Sequence, residues 1–230
     1  MIVVITFFYI NGIQSRLIVC RNQVCRMARK LYYFSLKGYG EGIRYLLHYG
    51  GLEFEDITFT REEYPKIKET IDFPFGKCPV YVEGDKVLHQ SQVISRYIAR
   101  QLDLVPSDPW EEAKTDAVLH TLTDFFSDFR AFIYEQEPKK KEELKQKILN
   151  ETFDYYFSRF ENQLKENNGH FGSKLTWVDI VFVAMVATIK DFLEVNIEVY
   201  PTLCGLVDEV NNLKGIKEYV ATRTPGLYVY

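Results

Sequence analysis

The chain changes character at "VPSDPW", residues 105–110. Two prolines in six residues interrupt any regular element there, because each fixes φ and removes a backbone donor. Between Lys30 and that break, strand-like and helix-like stretches alternate; beyond it, strand signals nearly vanish. Neither a single sheet nor a single bundle suits such a chain. The pattern predicts an α/β domain over residues 30–104 followed by an all-α, helical-bundle domain over residues 105–230.

In the first half, "KLYYFSL" reads as a short strand, and glycines 38, 40 and 42 mark its end. "IRYLLHYGG" is a helix stopped by Gly50 and Gly51, and "EFEDITF" alternates as a second strand. "REEYPKIKETI" gives a short, proline-interrupted helical stretch. In "FPFGKCPVYVEGDKVLHQS", residues 73–91, a turn at Glu83-Gly84-Asp85 joins strands over 79–82 and 86–89. The following "SQVISRYIARQLDL" makes a helix whose buried side is expected to carry Val93, Ile94, Tyr97 and Ile98. The order is thus β-α-β-α-β-β-α.

Past the break, "EEAKTDAVLHTLTDFFSDFRAFIYEQE" and "KKKEELKQKILNETFDYYFSRFENQLKENNG" read as two long helices. The lysine run 139–141 is expected to be a solvated helix start. "LTWVDIVFVAMVATIKDFL" is apolar almost all round, the mark of a helix enclosed by others. Thr176 and Asp179 form a capping box ahead of it. Two shorter helices, around 201–213 and 215–222, follow.

With 47% hydrophobic and 26% charged residues, the 230-residue chain has a globular composition. A formal net charge of −4 argues against nucleic acid as a partner. The four cysteines, 20, 25, 78 and 204, have neither zinc-site spacing nor disulfide-rich density, so a reducing compartment is the default and no metal is expected. No stretch reaches the ~20 apolar residues of a membrane helix, so no stable membrane association is expected. Residues 1–29 differ from the rest of the chain: "MIVVITFFYI" is apolar, and the next twenty residues hold four Arg and no acid. That segment reads as a dispensable extension with Met27 as an alternative start, as a mitochondrial transit peptide over 1–26, or as structure of its own.

Two features of the first half invite a site. The glycines of "FSLKGYGEGIRYLL" suggest a dinucleotide fingerprint, but the third glycine falls at 42 where GxGxxG needs it at 43. A tight strand-to-helix turn is the better reading. Cys78-Pro79 opens a strand with a residue that cannot donate to the ladder, next to a helix start at Gln90-Ser91.

From about Lys30 to Thr222 the chain resembles a cytosolic glutathione transferase of the sigma class, the class related to the glutathione-dependent prostaglandin D synthases. "LYYFSLKGYGEGIR", "PFGKCPV", "LHQSQVISRYIAR" and "GSKLTWVDI" carry the likeness, in the family's order. The resemblance implies a thioredoxin-like N-terminal domain, a homodimer, a cytoplasmic setting, a role in detoxification and glutathione as cosubstrate. It implies a cis bond before Pro79, with the Cys78 backbone pairing with the cysteinyl backbone of glutathione. Gln90 and Ser91 would hold the γ-glutamyl carboxylate at a helix N-terminus. Asp116 would reach the γ-glutamyl amino group across the dimer, Tyr64 and Lys68 would hold the glycine end, and Lys77, where the family has Gln or Lys, would add charge to the carboxylate site.

The resemblance implies that Tyr33 is the catalytic tyrosine at the end of the first strand; alternation lets only one of Tyr32 and Tyr33 face the cleft, and the spacing to Gly38 and Glu41 matches the second. The implied reaction is conjugation of the glutathione thiolate to small hydrophobic electrophiles. Prostaglandin isomerisation and lipid peroxide reduction use the same thiol, and a non-catalytic carrier or crystallin-like protein could keep the fold. The aromatic "TDFFSDFRAFIY" is expected to line the acceptor pocket. Departures from the family pattern are Tyr64 in place of Trp, Tyr39 in place of Arg or Leu, and Asp72-Phe73 as a two-residue insertion.

Overall fold

The computed structural model describes backbone and side chains for residues 28–223, and the backbone of three strands ahead of them. Those strands, β1 (Val4–Ile10), β2 (Ile13–Cys20) and β3 (Gln23–Arg26), pair antiparallel as a sheet of their own. Met27 lies outside the described residues.

A second sheet holds β4 (Arg29–Phe34), β5 (Glu55–Phe59), β6 (Val80–Glu83) and β7 (Lys86–His89), in the order β5-β4-β6-β7. Strands β4 and β5 run parallel, which requires a crossover, and α1 (Gly38–Tyr49) supplies it. The other two pairings are antiparallel. Glu83 pairs with Lys86, so the hairpin turn is two residues, with Gly84 at φ 64°. A single helical turn, α2 (Tyr64–Ile67), precedes the hairpin, and α3 (Ser91–Gln101) follows it. This is a thioredoxin-like domain.

The rest is helical: α4 (Pro109–Tyr134), α5 (Pro138–Lys147), α6 (Phe153–Glu166), α7 (Trp177–Phe192), α8 (Pro201–Asn212) and α9 (Ile216–Thr222). The linker's second proline begins α4, with the Asp108 carboxylate accepting the Glu111 N–H at 2.8 Å. Helices α5 and α6 are one rod interrupted by a π turn at Ile148–Thr152, where the sequence reads as a single helix. In α7 the predicted capping box forms: Asp179 accepts the Thr176 N–H at 2.7 Å, and also the Phe171 N–H at 2.8 Å.

The two domains share one core. Leu31, Ile43, Leu46, Ile94 and Ile98 pack in the same cluster as Phe182 and Val186 of α7. Helix α1 comes so close to α7 that a Cβ on Gly42 would lie 3.0 Å from Val181 Cγ1.

On α3 the expected buried side needs correction. Ile94 and Ile98 are buried, but Val93 is 51% and Tyr97 38% exposed. Helix α4 covers the flank bearing Gln92 and Arg96, with Gln92 Nε2 donating to Thr123 at 2.8 Å and Arg96 meeting Asp116 at 2.6 Å. Val93 and Tyr97 therefore turn outward, and the Tyr97 hydroxyl donates to Glu83 at 2.6 Å. No helix among the described residues is long and apolar enough to cross a membrane.

Candidate active site

Strand β4 delivers two tyrosines to opposite sides of the sheet, as alternation requires. Tyr32 joins a cluster with Phe59, Phe73 and Val80. Tyr33, 5% exposed, lies on the opening turn of α1. The glycines there serve this ring: a Cβ on Gly40 would come 2.4 Å from Tyr33 Cδ1, and one on Gly38 would come 2.6 Å from the hydroxyl. No phosphate cradle is needed to explain them.

The Tyr33 oxygen accepts the Tyr39 N–H at 2.9 Å. Burial pushes this phenol far above its ordinary range, so it stays protonated. No hydrogen bond to a described residue uses its proton. The Arg44 guanidinium stands 5.8 Å from the ring centroid, fixed by Asp56 at 2.7 Å and the Leu36 carbonyl at 2.8 Å.

Tyr33 borders a cavity of about 670 Å³ between the two domains. Leu36, Tyr64, Lys77 and Cys78 share its N-terminal wall. Phe126, Phe129, Arg130 and Ile133 of α4 face them, with Met185 and Phe192 of α7. The expected aromatic lining on α4 is thus present. The bond Cys78–Pro79 is cis. The Cys78 thiol, half-buried, is pushed up to about 11 by burial and so remains a neutral thiol at pH 7.

Tyr64 uses its hydroxyl internally, donating to the Gly76 carbonyl at 2.9 Å. Its ring stacks on Phe59 at 5.5 Å, and the Lys68 ammonium stands 5.5 Å from the ring centroid. Phe73, read in sequence as half of an insertion, is 6% exposed and edge-on to Tyr32 and Tyr64. It anchors the loop that carries Gly76, Lys77 and Cys78.

Gln90, Ser91 and Asp116 lie outside the cavity lining. Gln90 holds φ at 72°, a left-handed value unusual for a side-chain-bearing residue, and Ser91 is the first residue of α3. Ser91 instead borders a second pocket of about 20 Å³, which shares Tyr39, Phe126 and Met185 with the large one. Asp116 meets Arg96 at 2.6 Å, its other oxygen is buried without a partner, and burial raises its carboxyl. Pro79 is buried and immediately precedes β6. Arg130 falls within the run expected to line the pocket but was not singled out there, and sequence reading missed Met185 and Phe192, hidden in a helix that looked enclosed on every side. Among the described residues no group of His, Cys, Asp and Glu is placed to hold a metal ion.

A thioredoxin-like sheet with a cis proline ahead of its inner strand β6, a helical domain docked on it and a protonated tyrosine at the cavity between them define the architecture of the site. Comparison with known proteins narrows this. The family model for the glutathione S-transferase N-terminal domain matches residues 29–100, and that for the C-terminal domain matches residues 123–223. A glutathione S-transferase of Anopheles gambiae is 37% identical over 84% of this chain and 96% of its own length. The hematopoietic prostaglandin D synthase of Gallus gallus is 32% identical over the same shares. The solved structure of prostaglandin synthase D of Nilaparvata lugens superposes with a TM-score of 0.81 at 35% identity, covering 86% of this chain and 98% of that one. The chain belongs to the glutathione S-transferase family of enzymes, which use glutathione as cosubstrate.

Proposed function

We propose that this enzyme conjugates the glutathione thiolate to small hydrophobic electrophiles, with Tyr33 as the catalytic residue. The observation that carries the reading is the Tyr33 hydroxyl, buried, protonated, oriented by the Tyr39 N–H and bordering the cavity. A thiol with a pKa of about 8.5 is only ~3% ionised at pH 7. Lowering that pKa by two units takes ~2.7 kcal/mol of preference for S⁻. One hydrogen bond donated to a charged acceptor away from bulk water supplies roughly 1.5–3 kcal/mol.

Glutathione would lie along the N-terminal wall. The Cys78 backbone, held by the turn at Pro79, pairs with its cysteinyl unit as a strand edge captures a peptide. Lys77 and Lys68 offer charge to the glycine carboxylate, while Tyr64 fixes the intervening loop through Gly76 and presents its ring. Gln90 and Ser91 receive the γ-glutamyl carboxylate at the α3 N-terminus, where free N–H groups favour an anion. Asp116, remote from its own cavity lining, serves the γ-glutamyl amino group of a second subunit in a homodimer.

In this arrangement residues 30–104 bind the thiol peptide and residues 105–230 supply the acceptor wall, in a cytoplasmic sigma-class detoxification enzyme. Prostaglandin isomerisation is the second reading, favoured by the similarity to two prostaglandin D synthases. Calorimetric titration of glutathione, followed by turnover of aryl halides, enals, lipid hydroperoxides and a prostaglandin endoperoxide, tests both. Conjugation of the first two acceptor classes is expected. Glutathione binding with no turnover of any acceptor would hand the lead to a carrier protein.

A further inference from the structure

Arg130 is the one charged residue that α4 contributes to the cavity lining. Its neighbours on that wall, Phe126, Phe129 and Ile133, are apolar and buried. Arg130 itself is exposed, so its guanidinium meets both the cavity and water and is open to an incoming anion. Among the described residues none makes a hydrogen bond or ion pair with the Arg130 guanidinium; the interaction found is electrostatic, with Tyr39, whose phenol its charge favours in the ionised form. Its position along the cavity follows from the helix. The Phe126 ring lies 5.9 Å from the ring of Tyr39, the residue whose backbone N–H meets the Tyr33 hydroxyl. Arg130 is one turn further, about 6 Å along the axis on the same face. The far end of the cavity is therefore cationic, and Arg61 also lines it there, 5.3 Å from the Tyr134 ring centroid. Among the described residues Glu62 is the sole acidic residue in the lining, against Arg61, Arg130 and Lys77.

We propose that Arg130 is a specificity-determining residue, and that the preferred acceptor is an electrophile with an apolar body and a carboxylate at the end remote from its reactive carbon. This rests on the transferase reading above. The aromatic and aliphatic wall between Phe126 and Ile133 holds the body. The guanidinium takes the carboxylate in a forked, two-bond contact that a lysine would not reproduce. In a conjugate addition, the thiolate sulfur bonds to the β-carbon of an enone and the C=C π pair moves to the enolate. The enolate then takes a proton from solvent. The carboxylate is unchanged throughout; its contact with Arg130 only places the β-carbon near Tyr33.

The test uses an isosteric pair of enones, 4-(3-oxobut-1-enyl)benzoate and the corresponding neutral benzamide, on the full chain. Wild-type enzyme is expected to favour the carboxylate by roughly 3–10-fold in kcat/KM, through KM, the span of a rim-to-partly-buried ion pair. Arg130→Leu should bring that ratio to about one or below, and Arg130→Lys should restore part of it. A second arm needs no turnover: calorimetry with the unreactive 4-phenylbutyrate, which should bind wild type more tightly than Arg130→Leu by the same factor. Turnover of both enones with a ratio that Arg130→Leu does not change would overturn the proposal and leave the transferase reading intact. Arg130-dependent binding of phenylbutyrate with no turnover of either enone would do the reverse. Equal phenylbutyrate affinity in both proteins sinks the anchor, whatever the kinetics.

Discussion

The two walls of the cavity are made in different ways. The N-terminal wall is fixed by backbone: a strand end, a cis proline turn and glycines that admit one tyrosine ring. The helical wall is fixed by side-chain bulk, chiefly phenylalanines on α4 and the end of α7. Backbone constraints leave few substitutions that keep the geometry, so a wall of that kind suits a ligand that never changes. A wall of packed apolar side chains can be resized one residue at a time at small cost. The difference assigns constancy to the thiol side and variety to the acceptor side.

Substitutions that respect this division should separate cleanly. Gly40→Ala strikes the constant wall, since its new Cβ would overlap the Tyr33 ring at 2.4 Å. Displacing that ring should lower turnover with every acceptor by roughly 10–100-fold, the scale of one or two thiol pKa units. A variant with near-normal turnover would show that the ring's seat on α1 is not required. Phe129→Leu strikes the variable wall, where Phe129 is 3% exposed against Phe126 and Phe192. It should raise KM for bulky apolar acceptors about 3–10-fold, near 1 kcal/mol of lost contact, and leave KM for glutathione unmoved. An equal change in both KM values would erase the distinction between the walls. The smallest effect belongs to the N-terminal extension, whose sheet is separate from the one bearing Tyr33. Starting the chain at Met27 should shift the melting temperature by less than ~4 °C, under 1 kcal/mol for a protein of this size, and preserve turnover.

Legibility in the sequence divides along the same line. Glycines 38 and 40, the Cys78-Pro79 pair and the Thr176–Asp179 box are local signals, and each appears where the local chemistry placed it. Alternation put Tyr32 and Tyr33 on opposite faces, and the family likeness with the spacing to Gly38 and Glu41 chose Tyr33. Features that depend on elements arriving from elsewhere were illegible. Val93 and Ile94 are equally apolar neighbours on α3, and only the arrival of α4 along Gln92 and Arg96 decides which is covered. Phe73 looked like an insertion because its aromatic partners, Tyr32, Phe59 and Tyr64, lie far from it in sequence. Met185 and Phe192 belong to a helix apolar on all sides, whose pattern cannot say which side meets a cavity. The π turn at Ile148–Thr152 leaves no apolar signature either.

The central claim is that the Tyr33 hydroxyl stabilises a bound thiolate. Its own proton stays on across the working range because burial raises its pKa, so the titration of the complex reports the glutathione sulfur. A donor favours S⁻, which sets the bound thiol below its free value of about 8.5; removing the donor returns it toward that value. The decisive measurement is the ultraviolet thiolate absorbance of bound glutathione against pH, in wild type and Tyr33→Phe. The account predicts a curve displaced upward by one to two units in the variant, roughly a 10–100-fold loss of turnover at neutral pH and partial recovery in alkali. Superimposed curves would contradict it and leave Tyr33 a packed strand residue.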